Sequence, residues 1–225
     1  MKKLEINERE YETIEEAFTK EQLKEISETI NDIRLRDRVI KDRLRKILVE
    51  DGDFEEIGCG TNRIVFAKKN KKISTVYKIG FNNRGVKDNV MEKSLFDTDL
   101  GKDVNVAVEC LDMYSMGYIL NQERVDKVMD SKDMEKHIDT VRKICEWYSR
   151  GFTVFDLGPK SIRNWGLRID EDGEEYPMPI DYAYLKPLNG KELKCRMCEA
   201  DLIYDEDYTV LVCPECGEVF RITSF

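Results

Sequence analysis

The chain has a single histidine, no apolar run close to the roughly 18 residues that a membrane span needs, and no excess of positive charge: 46 acidic residues against 37 basic ones give a formal net charge of -9. Each shortage excludes something. With only His137, any Ser-His-Asp or Cys-His mechanism would have to use that one residue, and it falls mid-helix beside Lys136, where a solvated or half-packed role is expected. The negative balance excludes a generic nucleic-acid or anionic-membrane binder, because such partners demand a positive field. Lys2 and Lys3 are followed by Leu4-Glu5-Ile6-Asn7-Glu8 and not by an apolar segment, so a cytoplasmic protein is expected.

What is present favours a folded chain. Of the 225 residues 41% are hydrophobic and 37% charged, enough for one sizeable core and an appendage, or for two modest domains. Seven cysteines divide into two Cys-x-x-Cys pairs near the carboxyl end and three isolated ones, Cys59, Cys110 and Cys145, which read as small core residues of a reducing compartment. Cys59, lying between two glycines, is the one whose thiol chemistry would matter if exposed.

Residues 8 to 50 carry Tyr11, Ile14, Phe18, Leu23, Ile26, Ile30, Ile33, Ile40, Leu44, Ile47 and Leu48 at threes and fours, which is helical periodicity. Thr19 with Gln22 makes an amino-terminal cap, so the pattern predicts a short helix and a long one. They form an expected extension over residues 1–50, packed on the next segment or, alternatively, serving as a docking arm.

The most informative stretch runs from Ile57 to Glu92. Gly58-Cys59-Gly60 lies in a hairpin, where two close glycines let backbone N–H groups approach phosphate oxygens. Lys78 stands inside the apolar run Thr75-Val76-Tyr77-Lys78-Ile79 and must send its ammonium to something polar. Glu92, on a helix entered from Gly85 with Asp88 or Asn89 as cap, and a nucleotide phosphate are the expected partners. Two β-rich runs follow, 105–111 and 118–122, then a helix over Ser131–Tyr148. A hairpin turns at Glu171-Asp172-Gly173, with Asn164 at its start and Asp181 at its end, two oxygen donors suited to Mg²⁺.

In this order, these residues resemble the protein-kinase-like fold. The resemblance covers residues 54 to 185 and implies a small antiparallel-sheet lobe over 51–123, a reduced second lobe over 124–190, and ATP with Mg²⁺ as ligands. It implies that Gly58 and Gly60 cover the phosphates, that Lys78 contacts them and pairs with Glu92, and that Asn164 and Asp181 hold the metal. Glu123 and Val125 would face the adenine in a hinge, and Asp156 would be the catalytic base. Gly-x-Gly-Thr-Asn-Arg followed by Arg84-Gly85-Val86-Lys87-Asp88-Asn89 also looks like kinase-like proteins encoded by bacteriophages. The departures are specific: no His-Arg precedes Asp156, eight positions separate it from Asn164, Asp181 is followed by Tyr-Ala, and only a dozen residues remain before the cysteines. Nucleotide binding is therefore expected over protein phosphorylation. A non-catalytic pseudokinase that binds a host or phage protein is the alternative.

Residues 191–225 hold Cys195, Cys198, Cys213 and Cys216, two pairs with fourteen residues between them, and the run Tyr208–Val212 reads as a strand before the second pair. Four thiolates on two tight turns suit tetrahedral Zn²⁺ in a structural ribbon. Asp205, Glu206, Asp207, Glu215 and Glu218 give it a field that repels phosphates, so a protein partner is expected. The expected whole is an α+β protein: helical extension, kinase-like domain and zinc ribbon.

Overall fold

A computed structural model describes residues 10–70, 74–97, 108–149, 152–153, 157–182 and 186–187, and towards the carboxyl end 198, 200, 203–205, 210–212, 215–217 and 219–221. The chain divides into two compact units, Met1–Lys93 with Glu109–Arg124, and Ser94–Val108 with Val125–Phe225. It is an α+β protein with antiparallel sheets.

The first unit opens with α1 (Ile14–Ala17), α2 (Lys20–Asn31) and α3 (Asp37–Arg45), the last running into one π turn (Lys46–Glu50). Thr13 with Glu16 and Thr19 with Gln22 form reciprocal capping boxes that fix the starts of α1 and α2. The expected long helix is two helices. Asp32 ends the first, accepting a forked hydrogen bond from the Arg34 guanidinium at 2.7 and 2.8 Å and another from the Arg34 amide, and these hold a turn where helix would otherwise continue.

Strands β1 (Phe54–Cys59), β2 (Arg63–Lys68), β3 (Thr75–Gly80), β4 (Cys110–Tyr114) and β5 (Ile119–Glu123) make one sheet in the order β1-β2-β3-β5-β4, with helix α4 (Asn83–Asp97) between β3 and β4 in the chain. The amino-terminal helices share this sheet's core. Phe18, Ile26, Leu44 and Leu48 pack with Phe54, Phe66, Tyr77 and Ile79, and Phe18 stacks on Phe54 at 4.8 Å and meets Tyr77 edge-on. At about 1.5–3 kcal/mol for each fully buried apolar side chain, residues 14–48 are structural members of the unit. Lys68 and Lys69, at the end of β2, turn back. Lys68 meets the Asp53 carboxylate over the Phe54 ring, and Lys69 donates to the carbonyls of Val49 and Gly52, satisfying acceptors that the helix end leaves open. Cys110 is buried as expected, whereas Cys59 is exposed at the end of β1, so the core role does not hold for it.

The second unit contains β6 (Lys127–Val128), α5 (Ser131–Ser149), β7 (Phe152–Thr153), β8 (Trp165–Ile169), β9 (Glu175–Pro179), β10 (Lys186–Pro187), β11 (Ile203–Asp205), β12 (Val210–Val212) and β13 (Val219–Arg221), in sheets β6-β8-β9, β7-β10 and β11-β12-β13. Trp165 is fully buried, its indole N–H donating to the Leu157 carbonyl, which also accepts from the Cys145 thiol. Burial pushes that thiol's pKa up, as suits an inert residue.

His137 has a partner. With Lys136 it meets Glu175 at 2.8 Å, tying α5 to β9, and the Lys136 and His137 hydrogen bonds hold the Glu175 carboxyl at about 2. A depressed carboxylate stabilises the fold fully above its ordinary value of 4.5 and loses that contribution as the pH falls towards 2. The stability difference between the parent and Glu175→Gln, read from urea midpoints, is expected to shrink across that window. A difference unchanged from pH 7 to 2 would contradict the tie. Among the described residues no helix is long and apolar enough to cross a membrane.

Candidate functional site: the Lys78–Glu92–Arg63 cluster

In β1 the register slips between Glu56 and Gly58, leaving Ile57 as a bulge, and the Gly60 amide donates to the Arg63 carbonyl at 2.8 Å to close the turn into β2. Neither Gly58 nor Gly60 has a positive φ. A Cβ at Gly58 would meet no described atom within 4 Å, and one at Gly60 would lie 3.6 Å from the Arg63 carbonyl. The turn does not need glycine at these two positions for its own shape. What glycine supplies is an unobstructed backbone face.

Lys78 lies mid-sheet on β3, between Val65 of β2 and Leu120 of β5. Its side chain is 7% exposed and its Nζ is 2.7 Å from Glu92 Oε2; Glu92 is completely buried. The other carboxylate oxygen, Oε1, accepts from Arg63 Nη2 at 2.9 Å. Arg63 also reaches Asn89 Oδ1 through Nη1 at 3.3 Å, and the Asn89 amide donates to the carbonyls of Lys78 and Gly117. Beside them Asn62 donates to Asp88. Charges taken this far out of water persist only when paired and hydrogen-bonded, and here both carboxylate oxygens have a cation.

The placement of α4 explains the cluster. The helix begins earlier than expected, at Asn83, and Asn82 caps it by accepting from the Gly85 amide at 2.9 Å. Asp88 and Asn89 are therefore not caps. They lie one turn before Glu92 and share its buried face. Gly85 lets that face come close: a Cβ there would stand 2.0 Å from the Asn62 carbonyl oxygen and 2.9 Å from Gly80 Cα. Gly117, at φ +102°, leaves no room for a side chain against Val86 and Val90. Three glycines thus seat the helix backbone-to-backbone, and only then can Glu92 span the gap to β3.

The other expected site residues are placed as follows. Asn164 ends a short 3₁₀ turn and Asp181 follows β9; the Ile180 amide donates to the Asn164 carbonyl at 2.8 Å, so the two are neighbours at one end of the β8–β9 hairpin. Glu123 is buried at the end of β5, and its amide is occupied by the Glu109 carbonyl. Val125 packs against Gly166 within the second unit, and the boundary between the units falls between Arg124 and Val125. Asp156 lies outside the described residues.

Of the four ribbon cysteines, Cys195 and Cys213 lie outside the described residues; Cys198 is exposed on a turn and Cys216 on the turn between β12 and β13. Gly217, directly after Cys216, has φ +76°, a left-handed reversal that glycine adopts without steric cost. Among the described residues no group of three or more His, Cys, Asp or Glu gathers as a metal site. Residues 193–223 match the family model described as Trm112p-like protein. That segment is similar to Trm112p-like proteins. It spans all four cysteines and β11 to β13, and no curated protein matches the chain.

Asn62 and Arg63 take no role from the sequence, which offers Asp88 and Asn89 only as caps and Gly85 only as the entry to the helix. A signal was there: 85, 88, 89 and 92 fall on one helical face, and that face carries a glycine and three polar residues where a core-facing helix would be apolar.

Proposed function

We propose that the first unit binds ATP with Mg²⁺ as a kinase-like small lobe, and that the carboxy-terminal segment holds zinc and contacts a protein partner. One observation carries the nucleotide reading: a strand lysine and a helix glutamate, far apart in the chain, form a buried 2.7 Å pair in a sheet ordered β1-β2-β3-β5-β4 with the helix inserted between β3 and β4. This is the Lys–Glu pairing that protein kinases use to set the phosphate-contacting lysine. The open faces of Gly58 and Gly60 support it. Within the second unit, Asn164 and Asp181 are neighbours whose oxygen atoms suit Mg²⁺. Two departures limit the proposal to binding: Arg63 replaces the third glycine of the phosphate loop, and the spacing of Asp156 and Asn164 departs from the kinase pattern.

A thermal-shift titration tests this. At a hundred times its dissociation constant a ligand stabilises the native state by about 2.7 kcal/mol, or several degrees at roughly 2–4 °C per kcal/mol for a chain of this size. MgATP is expected to raise the Tm of the parent and to leave Lys78→Met unmoved. Equal shifts in both, or none in the parent, would reject the nucleotide site.

The zinc reading rests on the donor set and the turn at Cys216-Gly217: Cys195, Cys198, Cys213 and Cys216 would hold one ion, whose contribution would be structural, closing the two turns that carry the cysteine pairs. One zinc per chain by elemental analysis is expected, together with new protease cleavage within 191–225 after chelation. Full metal loss without new cleavage would contradict a structural ion. A second reading, a binding protein without chemistry, draws on the Trm112p-like match, since such segments are protein-interaction modules. It predicts a zinc-dependent partner and no MgATP shift.

A further inference from the structure

We infer that Arg63 is a positioning residue that clamps α4 in its docked place, so that Lys78 and Glu92 are set before a nucleotide arrives. The inference rests on the ATP reading only for its functional half. Glu92 divides its two oxygens between two cations on two strands, Lys78 on β3 through Oε2 and Arg63 on β2 through Oε1. If Lys78 alone faced that fully buried carboxylate, phosphate oxygens drawing the ammonium away would strand a charge with no water and no partner. Arg63 removes that conflict. It keeps Glu92 compensated while Lys78 shares its protons with a ligand, and its second arm holds Asn89 one helical turn earlier. Asn89 in turn ties the helix to the backbone of Lys78 and Gly117, so four elements close on one guanidinium.

Arg63 occupies the position where the kinase pattern has its third glycine, and a lysine could not replace it. An ammonium lacks the planar fork that spans Glu92 and Asn89 together. Binding through a helix that is already docked carries no penalty for a fractionally populated competent state. Freed of the clamp, α4 would undock part of the time, and apparent affinity would fall by the undocked fraction.

The test combines hydrogen exchange over α4 with MgATP affinity, in the parent, Arg63→Met and Arg63→Lys, each as the full chain. Parent α4 is expected to exchange slowly and equally with and without MgATP. In Arg63→Met, exchange over residues 86–93 should rise on the order of tenfold more than over α2, with MgATP restoring protection and its Kd raised by the reciprocal of the docked fraction that the exchange reports. Arg63→Lys keeps a cation beside Glu92, so it serves if the methionine variant does not fold, and it should show the same effects in reduced degree. Unchanged α4 exchange with unchanged Kd would overturn the clamp, and so would a rise spread evenly over α2, α3 and α4, which marks a purely structural residue. If the parent binds no MgATP, the nucleotide reading falls separately, and selective loosening of α4 alone decides for or against the clamp.

Discussion

Glu92→Ala is expected to cost about 3–5 kcal/mol, the loss typical when one partner of a buried ion pair is removed and the other is left uncompensated. Here the consequence is doubled in kind, because two cations lose their counterion at once, Lys78 at 7% and Arg63 at 7% side-chain exposure. Against a total stability of roughly 5–15 kcal/mol, the variant should be marginal or unfolded at 37 °C. Glu92→Gln, which keeps the shape and can still accept hydrogen bonds, should be less damaging. Lys78→Met should be milder still, since Arg63 remains to neutralise Glu92. Urea midpoints at constant m-value would rank the three. A Glu92→Ala loss below about 1 kcal/mol, the range of exposed pairs, would mean the cluster is hydrated in solution and the buried geometry is wrong.

Gly85→Ala should run against the usual rule. Inside a helix, alanine is normally favoured over glycine by about 0.5–1 kcal/mol. At this position the new methyl would enter within 2.0 Å of the Asn62 carbonyl oxygen and 2.9 Å of Gly80 Cα, both backbone, so neither can swing aside as a flexible side chain would. The helix must shift outwards, separating Glu92 from Lys78. Overpacking of this kind costs typically about 1–3 kcal/mol, and losing the ion cluster's geometry adds to it. Gly58→Ala is the control, with no described atom within 4 Å of the added carbon, and should stay close to the parent in stability. If Gly85→Ala proved as stable as Gly58→Ala, the close approach of α4 to the sheet would be refuted.

These two positions also show how far the sequence could be read. Lys78 and Glu92 were legible because a charge amid apolar neighbours demands a partner, and the helix that follows supplied one of opposite sign. Thr19 with Gln22 was legible because a cap is local. Arg63 and Asn89 were not, because their roles arise from two strands and a helix meeting in space, and nothing in their immediate neighbours encodes that. The turn at Asp32 was missed for a different reason: the apolar spacing runs on past it, and a single aspartate–arginine fork decides against the helix. In the second unit the turn at Gly173 implied a hairpin, and its strand pairing brings the backbone at Asn164 beside Ile180, next to Asp181.

The order of the strands carries a consequence for how the protein is made. β3 is flanked on one side by β5, yet β5 is translated only after α4 and β4. A nascent chain that has emerged only through Asp97 therefore exposes an open sheet edge, the kind of surface that invites mispairing with other chains. Completion must wait for Glu123, and a shortened gene product ending after α4 would be expected to aggregate.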